Sequence, residues 1–422
     1  MKVAVIGGGS TYTPELLEGL IQRRVELGLT EVVLQDIDPD RLGPVAAFCR
    51  RMADAAGASI PVRDTLDLDD ALRGAAFVVT QIRVGGQQAR HRDETVPLRH
   101  GCIGQETTGA GGFAKAVRTI PVILDIAQHV REQAPGAWVI NFTNPSGIVT
   151  EALLRHGGVR CVGLCNIPTE MRMEAAKALG APAEAVELDW VGLNHLGWVR
   201  GLRVAGSDVF EAVLAAFTGQ GGPANIPKID VGEDLVAALH AIPTWYLRYY
   251  YATEAVLAEL HAQEKTRAQV VMDLEQRLFA IYRDEAQHEK PALLAERGGA
   301  WYSRAAIDVM AALLSPRPQV QIVNVLNRGA VPGLPDDASV EIPTELSAFG
   351  ARPLPQAPVP EEMFGLMRQV KAYERLTIEA ATTRSRHKAF AALVANPLVR
   401  TAEKARAILA DIVANGDFAP VD

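Results

Sequence analysis

The sequence predicts an α/β fold, with a doubly wound parallel sheet over residues 1–170 and a mainly helical α+β domain over residues 171–422. Three observations predict it: a strand–turn–helix–strand unit opens the chain, short apolar runs then alternate with helical stretches, and long helical patterns take over beyond them. Val3-Ala4-Val5-Ile6 is an unbroken apolar run, as in a strand covered on both faces. Gly7-Gly8-Gly9 supplies a tight turn, and Ser10-Thr11-Tyr12-Thr13-Pro14 leads into a helix. Thr13 is expected as its N-cap, with Pro14 at the first helical position, where a missing N–H costs nothing. Leu16, Leu17, Leu20 and Ile21 recur at helical spacing, and Val32-Val33-Leu34 forms the next strand, ending in Asp36-Ile37-Asp38. Phe77–Ile82, Trp138–Phe142 and Cys161–Leu164 read as further strands, with helices over Ile120–Arg131 and Ile148–Arg155 between them. Helical patterns then run over 231–241, 253–262, 268–290, 301–314, 361–395 and 401–414. A strand-like segment, Val320 to Pro343, and a proline-rich loop, Pro353 to Pro360, interrupt them. Nothing resembles a repeat or a flexible linker, so the second domain is expected to pack directly on the first.

Composition narrows the function classes. A chain of 422 residues buries a sizeable core without disulfides or a structural metal. Its 42 basic and 50 acidic side chains leave a formal charge of −8, which argues against nucleic acid as a partner. The absence of a run of 18 apolar residues argues against a membrane span, and the start, MKVAVIGGGS, lacks the apolar stretch of a signal peptide. Cys49, Cys102, Cys161 and Cys165 are too unevenly placed for a disulfide framework. A cytoplasmic protein is the expectation.

Five groups of residues could carry chemistry. Gly7-x-Gly9 after a strand lets the backbone approach a pyrophosphate, although Tyr12 stands where the usual third glycine would be. With Asp36 placed to hold a ribose hydroxyl, the expected ligand is NAD rather than NADP, and Ser10 and Thr11 fall in the same turn. Asn144, in Asn144-Pro145-Ser146 after a strand, offers a donor and an acceptor to a hydroxylated substrate, while the same residues also suit a plain turn. Cys165 and His195 do not make a metal site by spacing, and each reads equally as a core residue. As two protein ligands they would suit an octahedral ion such as Mn²⁺ better than a closed Zn²⁺ site. Arg83, Arg90, Arg92 and Arg99, with Gln105-Glu106-Thr107, could form an anion pocket or a solvated basic loop. Most of Trp245, Tyr246, Tyr249, Tyr250 and Tyr251 should be packing residues, and a tyrosine serves as a base only where a cation lowers its pKa.

Taken together, these motifs resemble glycoside hydrolase family 4, the NAD- and metal-dependent glycosidases. The resemblance runs from Val5-Ile6-Gly7-Gly8-Gly9-Ser10-Thr11 to about residue 400, through Ile82-Arg83-Val84-Gly85-Gly86, Ile103-Gly104-Gln105-Glu106-Thr107, Asn144-Pro145, Cys165-Asn166-Ile167-Pro168 and Gly192-Leu193-Asn194-His195. It implies Cys165 and His195 as ligands of Mn²⁺ or another divalent metal, and Tyr246 as catalytic base. Arg90, Asn144, Asn166 and Arg267 become substrate-binding positions, with Glu106 and Asp36 as positioning groups. Asn166 stands where α-glucoside-cleaving members carry an aspartic acid, so the chain is most similar to the 6-phospho-β-glucosidases, and an amide cannot donate the leaving-group proton as an acid. The implied reaction is transient oxidation at C3 by NAD⁺, deprotonation at C2, elimination of the aglycone and addition of water, on a phosphorylated disaccharide or glycoside. A homodimer or homotetramer is implied too. Another glycoside remains an alternative substrate. A 2-hydroxyacid dehydrogenase is a second reading, because the Rossmann-like order and the Asn-Pro motif resemble the lactate and malate enzymes. The Gly-x-His-Gly-like histidine of those enzymes is missing here. A non-catalytic NAD sensor is a third.

Overall fold

In the computed structural model, residues 1–217, 231–298 and 301–422 are described. The first strands are β1 (Lys2–Ile6), β2 (Glu31–Gln35), β3 (Val62–Thr65), β4 (Phe77–Thr80), β5 (Trp138–Asn141) and β6 (Arg160–Gly163). They pair in parallel in the order β3-β2-β1-β4-β5-β6. This is the doubly wound order of dinucleotide-binding sheets, which reverses between β1 and β4 and so opens a crevice at the carboxyl ends of those strands. The apolar runs divide by strand periodicity. Val3 and Val5 pack on one face with Leu16, Leu20 and Phe48, and Ala4 and Ile6 on the other with Val78, Ile123 and Val139. Strand β3 escapes the sequence reading because three of the four residues in Val62-Arg63-Asp64-Thr65 are polar and only partly buried.

The first helix begins at Thr13, with Tyr12 as its N-cap and Pro14 inside the first turn. The expected capping role of Thr13 is corrected: its hydroxyl donates back to the Gly8 carbonyl at 2.8 Å and ties the helix start to the glycine turn. The helix preceding β5 is longer than its sequence pattern, Gly109–Gln133. Of the later helical patterns, 268–290 closes at Arg283, and 361–395 is two helices, Glu361–Thr383 and Arg386–Ala395, broken at Arg384 in the left-handed region.

The second half adds strands as well as helices. β7 (Val186–Leu193) and β8 (Leu196–Val204) form an antiparallel hairpin, flanked by the short strands β9 (Ser207–Asp208) and β10 (Ile242–Pro243). β11 (Gln319–Leu326), β12 (Ser339–Ser347) and β13 (Gly350–Pro353) run antiparallel and join the parallel sheet beside β6, through Asn324 opposite Gly163. One nine-stranded sheet therefore carries strands from both halves of the chain. No helix among the described residues is long and apolar enough to cross a membrane.

Candidate active site

The carboxyl ends of β1 and β4 flank the switch point, those of β5 and β6 lie beyond β4 on the same edge, and the residues that follow these strands build the site. The glycine turn comes from β1. Gly7 sits at φ +88°, and a Cβ there would lie 2.9 Å from the Gln81 carbonyl oxygen. On Gly9 it would lie 2.9 Å from Asp36 Oδ2. Gly7, Gly8 and Gly9 thus leave the backbone bare where side chains cannot fit. The Asp36 carboxylate accepts from the N–H groups of Gly9 (2.8 Å) and Ile37 (2.8 Å), joining the turn to the end of β2. Ser10 Oγ accepts from the Tyr12 N–H at 3.2 Å. The buried Thr11 hydroxyl has no hydrogen-bond partner, an orphaned polar atom of the kind a ligand satisfies. Bare backbone, an acid at the end of β2 and a ten-residue helix starting at the turn together fit a dinucleotide.

Beside the turn lies a cleft of about 160 Å³. Tyr12, Arg90, Asn144, Cys165, Asn166, His195, Tyr246 and Arg267 all line it, joined by Arg83, Glu106, Thr107, Arg297 and Tyr302. Every substrate, metal and base residue expected from the sequence therefore faces one space, although they come from widely separated segments.

Cys165 lies two residues past the end of β6. The strand can pass so near its neighbours because Gly163 has no side chain: a Cβ there would lie 2.0 Å from Thr150 Oγ1. Burial, and then the nearby Glu341, push the Cys165 thiol well above its usual range, while hydrogen bonds from the Ile167 backbone and the Asn194 side chain favour the thiolate. His195 sits in the two-residue turn between β7 and β8, at φ +62°. Gly192 and Gly197 let the hairpin close there, since a Cβ on Gly192 would come within 2.5 Å of Gly197 Cα. His195 Nδ1 lies 3.0 Å from Thr107 Oγ1, and its ring stacks on Tyr246 with centroids 3.7 Å apart and planes 4° from parallel. Burial, aided by the Lys115 cation, lowers the imidazole to about 3, so the ring is neutral at physiological pH. A neutral imidazole and a thiol facing open space fit a divalent ion that keeps most of its sites for other oxygens. Among the described residues no three of His, Cys, Asp or Glu group into a denser metal cluster.

Tyr246 is buried, and burial, Tyr249, Cys165 and Glu106 hold its phenol well above its ordinary value. As a base it needs a cation beside it, which agrees with a metal at Cys165 and His195. Asn144 is engaged locally: Nδ2 donates to the Phe142 carbonyl at 3.2 Å, and Oδ1 accepts from the Ser146 N–H at 3.3 Å, across a cis Asn144–Pro145 peptide. Asn166 Nδ2 donates to Glu170, a buried carboxyl that burial raises to about 7.

The arginine cluster divides. Arg83 and Arg90 face the cleft and pair with Glu106. Arg92 turns away to Asp417 at 2.7 Å, and Arg99 lies exposed beside Asp411, so the reading of all four as one anion pocket is corrected. Helical geometry explains the split, because 90 and 92 project from different sides of Gly86–Arg99. Burial disfavours the Glu106 carboxylate, but Arg83, Arg90 and Lys115 outweigh it and hold the group well below its usual range. Arg90 Nε also donates to Glu94 Oε1 at 2.8 Å, and Glu94 Oε2 accepts from the Ala268 N–H at 2.9 Å. One buried carboxylate thus ties Arg90 to the helix Arg267–Arg283 that presents Arg267. Burial, and then repulsion from Arg90 and Arg297, disfavour the charge on Arg267, as expected of cations gathered for an anion.

Sequence reasoning missed Lys115, Arg297 and Tyr302. Arg297 stacks over Tyr12 at 4.4 Å, donates to Glu275 at 2.8 Å and keeps a buried Nε without a partner. The only cue for it was a charge beside glycine in Arg297-Gly298, which looks like any surface turn.

Comparison with known proteins agrees with this architecture. Residues 2–181 match the family 4 glycosyl hydrolase family, and residues 190–399 match the family 4 glycosyl hydrolase C-terminal domain. A probable 6-phospho-beta-glucosidase of Bacillus subtilis (strain 168) is 42% identical, over 98% of this chain and 96% of its own. The 6-phospho-beta-glucosidase of Escherichia coli (strain K12) is 39% identical, over 98% of this chain and 94% of its own. The structure of the 6-phospho-beta glucosidase from Thermotoga maritima with manganese, NAD⁺ and glucose-6-phosphate superposes with a TM-score of 0.91 at 34% identity, covering 100% of both chains. Malate dehydrogenase from Plasmodium falciparum, 14% identical with a TM-score of 0.54 over 90% of this chain and 98% of its own, shares the fold alone. The α/β expectation holds, and this chain belongs to the family 4 glycosyl hydrolases.

Proposed function

We propose that this protein hydrolyses 6-phospho-β-glucosides with NAD⁺ and a divalent metal, Mn²⁺ or a similar ion. The observation that carries the reading is the convergence on one cleft of a thiol, a neutral imidazole, a stacked tyrosine and four arginines, Arg83, Arg90, Arg267 and Arg297, beside a bare glycine turn. Relatives that are 6-phospho-beta-glucosidases, and a Thermotoga maritima structure holding manganese, NAD⁺ and glucose-6-phosphate, support it.

In this reading Gly7, Gly9, Ser10, Thr11 and Asp36 hold NAD⁺, and Cys165 and His195 hold the metal. When bound, the dinucleotide supplies a hydride acceptor and the ion a Lewis acid. The chain itself does three things. Asn144 and Asn166 orient the sugar, and Arg90 and Arg267, with Arg297 beside them, face its phosphate. Tyr246, flat against His195, takes the C2 proton, and the aglycone leaves C1 by elimination, so no pair of catalytic carboxylates is required. Water then adds back at C1 to complete the hydrolysis. Two domains, 1–170 for the dinucleotide and 171–422 for substrate, metal and assembly, a cytoplasmic location and a homodimeric or homotetrameric assembly belong to the same proposal; sedimentation of the purified chain tests the last.

The test is a panel of p-nitrophenyl glycosides, α and β, with and without the 6-phosphate, assayed with NAD⁺ and Mn²⁺. Turnover is expected on the 6-phospho-β-glucoside. Stoichiometric NADH accumulation with lactate or malate, and no glycoside cleavage, would point to the dehydrogenase reading instead.

A further inference from the structure

We infer that Thr107, oriented by Gln105, is a positioning residue that fixes the tautomer of His195, placing the proton on Nδ1 and leaving the Nε2 lone pair for the metal. The inference rests on the proposed role of His195 as a metal ligand. Three contacts carry it. The Thr107 backbone N–H donates to Gln105 Oε1 at 2.5 Å, the Thr107 hydroxyl lies 2.9 Å from the same oxygen, and His195 Nδ1 lies 3.0 Å from that hydroxyl.

An amide oxygen only accepts, so the hydroxyl proton points to Gln105, and the Tyr246 phenol, which also bonds this hydroxyl, then donates its own O–H to it. What the hydroxyl then offers to His195 is a lone pair, and a neutral ring can answer only with Nδ1–H. The other nitrogen is left unprotonated. An imidazole that ligates a metal does so in its neutral form, so it carries one proton to place, not two. Stacking on Tyr246 fixes the plane of the ring but not which nitrogen bears the proton, because both tautomers stack alike. The Thr107 contact therefore supplies what the packing lacks. It also explains why Gln105 and Thr107 lie two residues apart: the side chain of the first bonds both the backbone and the hydroxyl of the second, and so fixes the donor direction locally. Outer partners of this kind are worth about 10–100-fold in metal affinity.

The test uses the full-length protein, free of metal and labelled with ¹⁵N-histidine. Long-range ¹H–¹⁵N correlation near pH 7 should show His195 with a protonated Nδ1 and a bare Nε2. Titration with Mn²⁺ alone should then show Thr107→Val binding about 10–100-fold more weakly than wild type, with Thr107→Ser restoring most of the loss and NAD⁺ affinity unchanged. A wild-type His195 protonated on Nε2 overturns the inference, and this reading stands even where Thr107→Val fails to fold. Cys165→Ser, titrated alongside, separates the two layers. Weakened Mn²⁺ binding there, with wild-type binding by Thr107→Val, overturns only the role of Thr107. Unchanged binding by Cys165→Ser overturns the metal assignment beneath it.

Discussion

The turn Gly7–Gly9 and the cleft around His195 lie at the same end of one sheet, yet the first is made of backbone and the second of side chains. The turn is local. β1, the glycines, the helix start and Asp36 at the end of β2 fall within the first 36 residues, and Asp36 closes the unit on Gly9. The cleft draws Arg90, Glu106, Asn144, Cys165, His195, Tyr246, Arg267 and Arg297 from separate elements, and several hold one another, Arg90 with Glu106 and His195 with Tyr246. A backbone site fails when a side chain intrudes. A side-chain site fails when one of its supports is removed, and substitutions should separate the two behaviours.

The largest effect should come from the cleft. Tyr246→Phe keeps the stack on His195 but removes the phenol, so kcat should fall about 10²–10⁴-fold with NAD⁺ and Mn²⁺ binding intact. Steady-state kinetics with separate binding titrations check this, and a kcat near wild type would move the base elsewhere. Next comes the turn. Gly7→Ala meets both a φ of +88° and the Gln81 carbonyl, at a cost of about 1–3 kcal/mol in stability. NAD⁺ affinity should drop while Mn²⁺ binding survives, as read by thermal shift and calorimetry; equal loss of both ligands would mean the two regions are not independent.

A support inside the cleft should show a smaller and more selective effect. Glu94→Gln weakens the charged bond to Arg90 and the tie to Ala268, so KM for a 6-phospho-β-glucoside should rise about tenfold with kcat little changed. Matched kinetics decide it, since a fall in kcat at constant KM would make Glu94 part of the chemistry.

The smallest effect concerns Glu341, buried behind Cys165, where it accepts from Asn194 (3.3 Å) and Asn324 (3.0 Å). Burial raises its carboxyl to about 7 from a usual value near 4.5. Between those values the folded chain holds a proton that the unfolded chain has released, so this group's contribution to stability falls as pH rises through that window. Glu341→Gln does not titrate and keeps the acceptor. Its Tm should equal wild type near pH 4.5 and exceed it by a few degrees near pH 8; a constant difference across the range would contradict the buried, protonated acid.

The same contrast explains what could be read in advance. The apolar alternation of Val3 to Ile6, the glycines and Asp36 encode the turn at short range, and the strands β1, β2, β4, β5 and β6 follow from runs buried on both faces. Cys165, His195 and Tyr246 were legible only as members of family motifs, because nothing local distinguishes Cys165, the proposed ligand, from Cys161, buried four residues earlier. β7 has a period-two signal, Val186, Leu188 and Trp190 against Glu187 and Asp189, which the Val191-Gly192 pair at its end breaks off. Arg92 and Arg99 could not be told from Arg90 without Asp417 and Asp411, more than 300 residues downstream. Long-range pairing of this sort leaves no trace in a single sequence.

The central claim, cleavage by elimination in this cleft, is tested most directly by hydrolysing p-nitrophenyl β-glucoside 6-phosphate in D₂O with NAD⁺ and Mn²⁺. Deuterium should enter C2 of the released sugar phosphate, and turnover should stop when either NAD⁺ or the metal is withdrawn. Hydrolysis that leaves C2 unlabelled, or that survives the loss of both, would contradict the account.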